Sequence, residues 1–192
     1  MLALLAAAST AAGAPPAHYG FGTTPSQSEL DRFFAPLPDG RGLPAGSGSV
    51  EQGKAVYDQQ CASCHGANLQ GGIGDKLIGG RGTLVNDDPA KAPVKTIESY
   101  WPYATTIFDY VKRAMPFTAP DSLSNDQVYA VTAYILSEAK IVPPGTVLDA
   151  KTLAAVKMPN RDGFIPDPRP EKFPPVAKTP HQSLVIAPPA AK

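Results

Sequence analysis

Residues 61–65 read CASCH, and they hold both cysteines of the chain. Cys61 and Cys64 are three positions apart and His65 follows directly. At the end of a helix all three side chains leave on one side. Four chemistries ask for such a pair: a disulfide, a zinc site, a redox dithiol and a covalently attached haem. A structural zinc site takes four ligands, and the other two histidines, His18 and His181, lie near opposite ends of the chain. A thioredoxin-like dithiol belongs in a βαβ context, whereas this chain reads as helices and loops. A disulfide across two residues leaves His65 without a task. A flat macrocycle lying on that side of the helix uses all three residues. The thiols form two thioether bonds and the imidazole reaches the iron, which is the physical content of C-x-x-C-H as a c-type haem attachment. One covalently attached haem c is therefore the expected cofactor. Cys61, Cys64 and His65 are its expected binding residues, with His65 as an iron ligand.

The iron has a second axial position. Methionine there raises the potential and suits electron transfer. The chain has Met1, Met115 and Met158. Met1 is expected to leave with a leader segment. Met115 ends one helical pattern and precedes the last, so it is the expected metal ligand. Met158, in KMPNRDGF, is the alternative, and His18, His181 or an open position are lesser options. Leu77 is expected to pack on the haem face. Arg81 suits a propionate, because a guanidinium matches carboxylate geometry. Trp101 is expected to donate its N–H to a propionate, with Tyr100 and Tyr103 beside it. The other readings of these five positions are ordinary core for Leu77, a solvated loop arginine for Arg81, and loop anchors for the three aromatics. No constellation for side-chain acid–base catalysis is visible.

Around this site the chain divides by composition. MLALLAAASTAAGAPPAHYG begins as an apolar run followed by small residues, so residues 1–14 are expected to be a secretory leader or its remnant, although no Lys or Arg precedes the run. Residues 15–47 are rich in Pro, Gly and Ser and read as an irregular extension, with a helical turn at SQSELDRFF. Residues 48–140 form the expected folded domain. Ser49 and Gln52 make an S-x-x-Q capping box that opens the helix leading into the cysteines, and Ser124 and Gln127 open the last one. Between them, 66–98 is a glycine-dense loop of a length that is usually functional. A middle helix is expected from near Pro102, with Ile107, Val111 and Met115 on one face. Eleven of the 22 prolines lie after residue 140, so 141–192 reads as an extended tail. A short helix is expected within 148–160, and no convincing strand is seen. Lys+Arg and Asp+Glu balance at 17 each, which gives no drive toward nucleic acid or an anionic membrane. No run is long and apolar enough for a confident membrane span.

The motifs CASCH after a first helix and AMP before a last helix ending AYIL resemble those of class I c-type cytochromes. That resemblance implies an all-α, small mono-haem fold across about residues 48–140, with Met115 at the ligand position. DGRGLPAGSGSVEQGKAVYDQQCASCHG, LIGGRGTL, SYWPYATTIFDYVKRAMPF and MPNRDGFIPDPRP further resemble the cytochrome c subunits of periplasmic sulfite and Sox-type sulfane dehydrogenases. The resemblance implies a periplasmic, non-catalytic electron-transfer subunit. Its partners would be a molybdopterin-containing dehydrogenase upstream and a cytochrome c or oxidase downstream. Longer members of that group carry a second haem, whereas one C-x-x-C-H is present here. A freestanding mono-haem carrier for another dehydrogenase, such as a quinoprotein, is the alternative.

Overall fold

The computed structural model describes residues 22–33, 36–85, 88 and 90–165. The expected leader, His18, His181 and the tail from residue 166 lie outside the described residues. Six helices and two short strands occur among them: α1 Gln27–Phe33, β1 Ser47–Ser49, α2 Val50–Gln60, α3 Ala62–His65, α4 Ala104–Ala114, α5 Asn125–Glu138, β2 Val147–Asp149 and α6 Ala150–Ala154. The fold is helical, as expected.

Both capping boxes are present. Ser49 accepts from the Gln52 N–H while the Gln52 side chain accepts from Ser49, and Ser124 and Gln127 repeat the arrangement on α5. Each box satisfies two of the N–H groups that a helix start leaves without partners. The middle helix starts two residues later than Pro102, at Ala104, with Tyr103 as its cap residue.

The centre of the fold is the crossing of α2 on α5. Gly53 faces the Ala130 carbonyl so closely that a Cβ on it would lie 1.9 Å from that oxygen. Only glycine allows this approach. Around the crossing, the Tyr57 and Tyr134 rings lie 5.2 Å apart and those of Phe108 and Tyr129 lie 4.5 Å apart. Val128, Val131 and Leu136 fill the remaining space on α5.

The packed body continues past α5. Residues 147–149 pair antiparallel with 47–49, with Gly48 opposite Leu148. This two-stranded ribbon ties the entry of α2 to the exit of α5. A third capping box follows, in which Asp149 accepts from the Lys151 and Thr152 N–H groups and opens α6. Leu148, Leu153 and Met158 are all buried in the core. The strands were not expected from the sequence, and the stretch 141–158 packs where an extended tail was expected to begin. Among the described residues no helix is long and apolar enough to cross a membrane.

Candidate haem site

Cys61 closes α2, its N–H bonded to the Tyr57 carbonyl at 2.9 Å, and the chain turns at once into the single-turn α3. The carbonyl of Cys61 accepts from both Cys64 N–H (3.1 Å) and His65 N–H (3.0 Å). The motif is therefore wound on itself, with Cys61 and Cys64 one turn apart. Both cysteines are free thiols and half-buried. Burial, with the Cys64 thiol next in effect, pushes the Cys61 thiol up to about 11, so it stays protonated at neutral pH.

The loop after His65 folds back under the motif. Gly71 N–H donates to His65 O at 2.8 Å and Gly74 N–H to Cys64 O at 2.9 Å. A Cβ on Gly74 would lie 3.0 Å from His65 Cε1 and 3.4 Å from Cys64 Cβ. The loop thus passes close to the imidazole, and a side chain at 74 would have to push the ring aside by a few tenths of an ångström. This brings the carbonyl of Asp75 to 2.6 Å from His65 Nδ1. A carbonyl can only accept, so Nδ1 carries the proton and Nε2 keeps its lone pair for a metal. From the other side, the Tyr57 hydroxyl, on a fully buried ring, donates to the Gly66 carbonyl at 2.7 Å. The motif is clamped from its helix and from its loop.

The other expected site residues are placed as follows. Leu77 is partly buried against the core; its N–H bonds to Leu69 O and its carbonyl accepts from Ile97 N–H, which stitches the long loop together. Arg81 is committed to protein groups: Nε lies 3.0 Å from Glu98 Oε1 and Nη2 lies 2.8 Å from the Ala139 carbonyl. Glu98 also accepts from Gly79 N–H at 2.5 Å. Trp101 is partly buried and meets Tyr110 edge-on at 5.8 Å. Its indole N–H has no acceptor among the described residues. Met115 ends α4 in extended geometry, its N–H on Val111 O, and it is half-buried outside the packed core. Met158 is 3% exposed and belongs to the core.

Sequence reasoning missed the Asp75 carbonyl, which is a backbone group and leaves no side-chain signal. It also missed Tyr57, whose hydroxyl acts on the carbonyl of Gly66, nine positions away. The donor set suits a haem: two adjacent thiols with no disulfide between them, and one imidazole presenting Nε2. Among the described residues no group of three or more His, Cys, Asp and Glu is arranged to hold a metal ion.

Comparison with known proteins agrees. The cytochrome c family model matches residues 50–139. No curated protein matches the chain. Among solved structures, the crystal structure of the sulfane dehydrogenase SoxCD from Paracoccus pantotrophus is similar at 43% identity and a TM-score of 0.72. That match covers 79% of this chain and 74% of the other. With the C-x-x-C-H motif wound as described and an identity this high over most of both chains, the chain belongs to the cytochrome c family, a family of electron carriers with covalently attached haem c.

Proposed function

We propose that this chain is the electron-transfer haem subunit of a periplasmic sulfur dehydrogenase. It takes electrons from a molybdopterin-containing subunit that oxidises sulfite or a sulfane sulfur and hands them to a cytochrome c or oxidase. The observation that carries this reading is the 43% identity to SoxCD over three quarters of both chains. The motifs SYWPYATTIFDYVKRAMPF and MPNRDGFIPDPRP, outside the C-x-x-C-H core, support the same group.

When bound, haem c supplies a one-electron Fe(III)/Fe(II) couple. Cys61 and Cys64 hold the macrocycle by thioethers. His65 binds through Nε2, oriented and made more basic by the Asp75 carbonyl on Nδ1. Met115 would be the second protein ligand to the iron. It stands at the end of α4 with no packing duty in the core, whereas Met158 already fills a core position. Leu77 covers one face. Trp101 offers its N–H to a propionate. Arg81 serves the site through its loop, which it ties to Glu98 and to the end of α5. With His65 and Met115 both committed to the iron, substrate would be kept from the metal and electrons would pass by an outer-sphere route.

The test is substrate-driven reduction. The oxidised holoprotein is mixed with a molybdopterin sulfite or sulfane dehydrogenase subunit and its sulfur substrate, and the haem absorbance is followed. The expected result is full reduction that depends on both enzyme and substrate. A haem that stays oxidised there but is reduced by a quinoprotein dehydrogenase would overturn the sulfur reading.

A further inference from the structure

The family match ends at residue 139, yet the chain goes on packing beyond it. After α6, Met158 seats in the core. The next residues turn back, with Arg161 N–H on Met158 O at 3.1 Å and Gly163 N–H on Asn160 O at 3.2 Å. They then lie along residues 100–103 in three different ways. Asn160 Nδ2 donates to the Tyr100 carbonyl at 2.7 Å. The Arg161 guanidinium stands 4.3 Å from the centroid of the Tyr103 ring, close enough for a cation–π contact. Phe164 meets the Tyr100 ring edge-on at 5.3 Å. Between the two gripped tyrosines sits Trp101, whose indole N–H has no acceptor among the described residues.

We propose that residues 158–164 are a strap that fixes the Tyr100–Tyr103 segment and so holds the Trp101 indole at the haem edge, making Asn160 and Arg161 positioning residues for that side of the cofactor. The inference rests on the reading that Trp101 faces a propionate. The physical consequence follows from where the contacts fall. A hydrogen bond on the Tyr100 carbonyl fixes the backbone just before the indole. A cation over Tyr103 fixes the ring just after it. An N–H held toward a propionate favours its carboxylate form, and the propionate charge acts on the iron potential. Loosening the segment lets water take the place of the indole. The segment beyond the family core thus has a task in tuning the haem, not only in completing the core.

Trp101 is the only tryptophan, so the reduced, ¹⁵N-labelled holoprotein shows one indole N–H resonance. Its solvent exchange and the reduction potential are the two readouts. In the wild type the exchange is slow. In the double variant Asn160→Ala/Arg161→Ala it becomes faster on the order of tenfold, as loss of a restraint worth about one hydrogen bond implies, and the potential moves. Arg161→Lys, which keeps a cation over Tyr103, stays close to wild type. If the double variant leaves exchange and potential unchanged while Trp101→Phe shifts the potential, the strap is refuted and the Trp101 reading stands. If the wild-type indole exchanges as fast as a free one, or Trp101→Phe leaves the potential alone, the Trp101 reading fails and takes the strap with it.

Discussion

At the residue scale, the site depends on groups that hold the motif rather than on the motif alone. Tyr57 is fully buried and its hydroxyl satisfies the Gly66 carbonyl at the turn behind His65. Tyr57→Phe removes that donor and leaves the carbonyl without it. The expected loss is about 1 kcal/mol of unfolding free energy, measured by denaturant titration of the holoprotein. A loss near zero would mean that the turn does not need the clamp. Gly53→Ala is expected to do more harm, because its new methyl would stand 1.9 Å from the Ala130 carbonyl and force α2 from α5. Overpacking of this kind costs about 1–3 kcal/mol, and a backbone neighbour cannot move aside as a side chain does. An alanine variant as stable as wild type would contradict the close crossing. Cys61, Cys64 and His65 were legible in the sequence because the chemistry itself imposes their types and spacing. Asp75 was not, since its contribution is a carbonyl that any residue carries. Gly53 was not either, since its importance comes from Ala130, 77 positions away.

At the element scale, two helix starts were readable from capping residues, and α2 and α5 begin where Ser49 and Ser124 predict. The third start, Asp149-x-x-Thr152, carries the same kind of signal, and α6 falls within the short helix expected at 148–160. β1 and β2 are three residues each, too short for an alternating pattern to show. The proline count after residue 140 pointed to an extended tail, yet most of those prolines lie beyond residue 158. The stretch up to Met158 could therefore pack. Asp149 gives this region a testable acid response. Hydrogen bonds from the Thr152 N–H and hydroxyl, outweighing a small opposing effect of burial, hold its carboxyl below the ordinary value of 3.8. A depressed carboxylate stabilises the fold above its unfolded pKa, and that contribution is lost as pH falls through the lower folded value. Stability measured from pH 6 down to below pH 3.8 is therefore expected to fall by more in the wild type than in Asp149→Asn, which keeps a cap but cannot titrate. Equal acid responses would show that the α6 cap carries no charge-dependent stability.

At the scale of the whole molecule, the structure is a small helical body with its reactive residues at the junction of α2 and a long loop. The loop is built from backbone stitching, Leu69 to Leu77 to Ile97, and from the Glu98–Arg81–Ala139 chain. Its length and its glycines marked it as a functional loop, but not which groups pin it. The balanced charge of 17 against 17 leaves partner recognition to local surface and shape. The proposed site is closed to substrate, with His65 and Met115 as the residues that would hold the iron. The most direct test is the iron–sulfur charge-transfer band of the oxidised holoprotein in Met115→Leu and Met158→Leu. Both changes remove the sulfur and nearly conserve volume, so the core around Met158 is kept. The band is expected in the wild type and in Met158→Leu, and absent in Met115→Leu. A band that survives in Met115→Leu and disappears in Met158→Leu would overturn Met115 as the ligand and assign Met158.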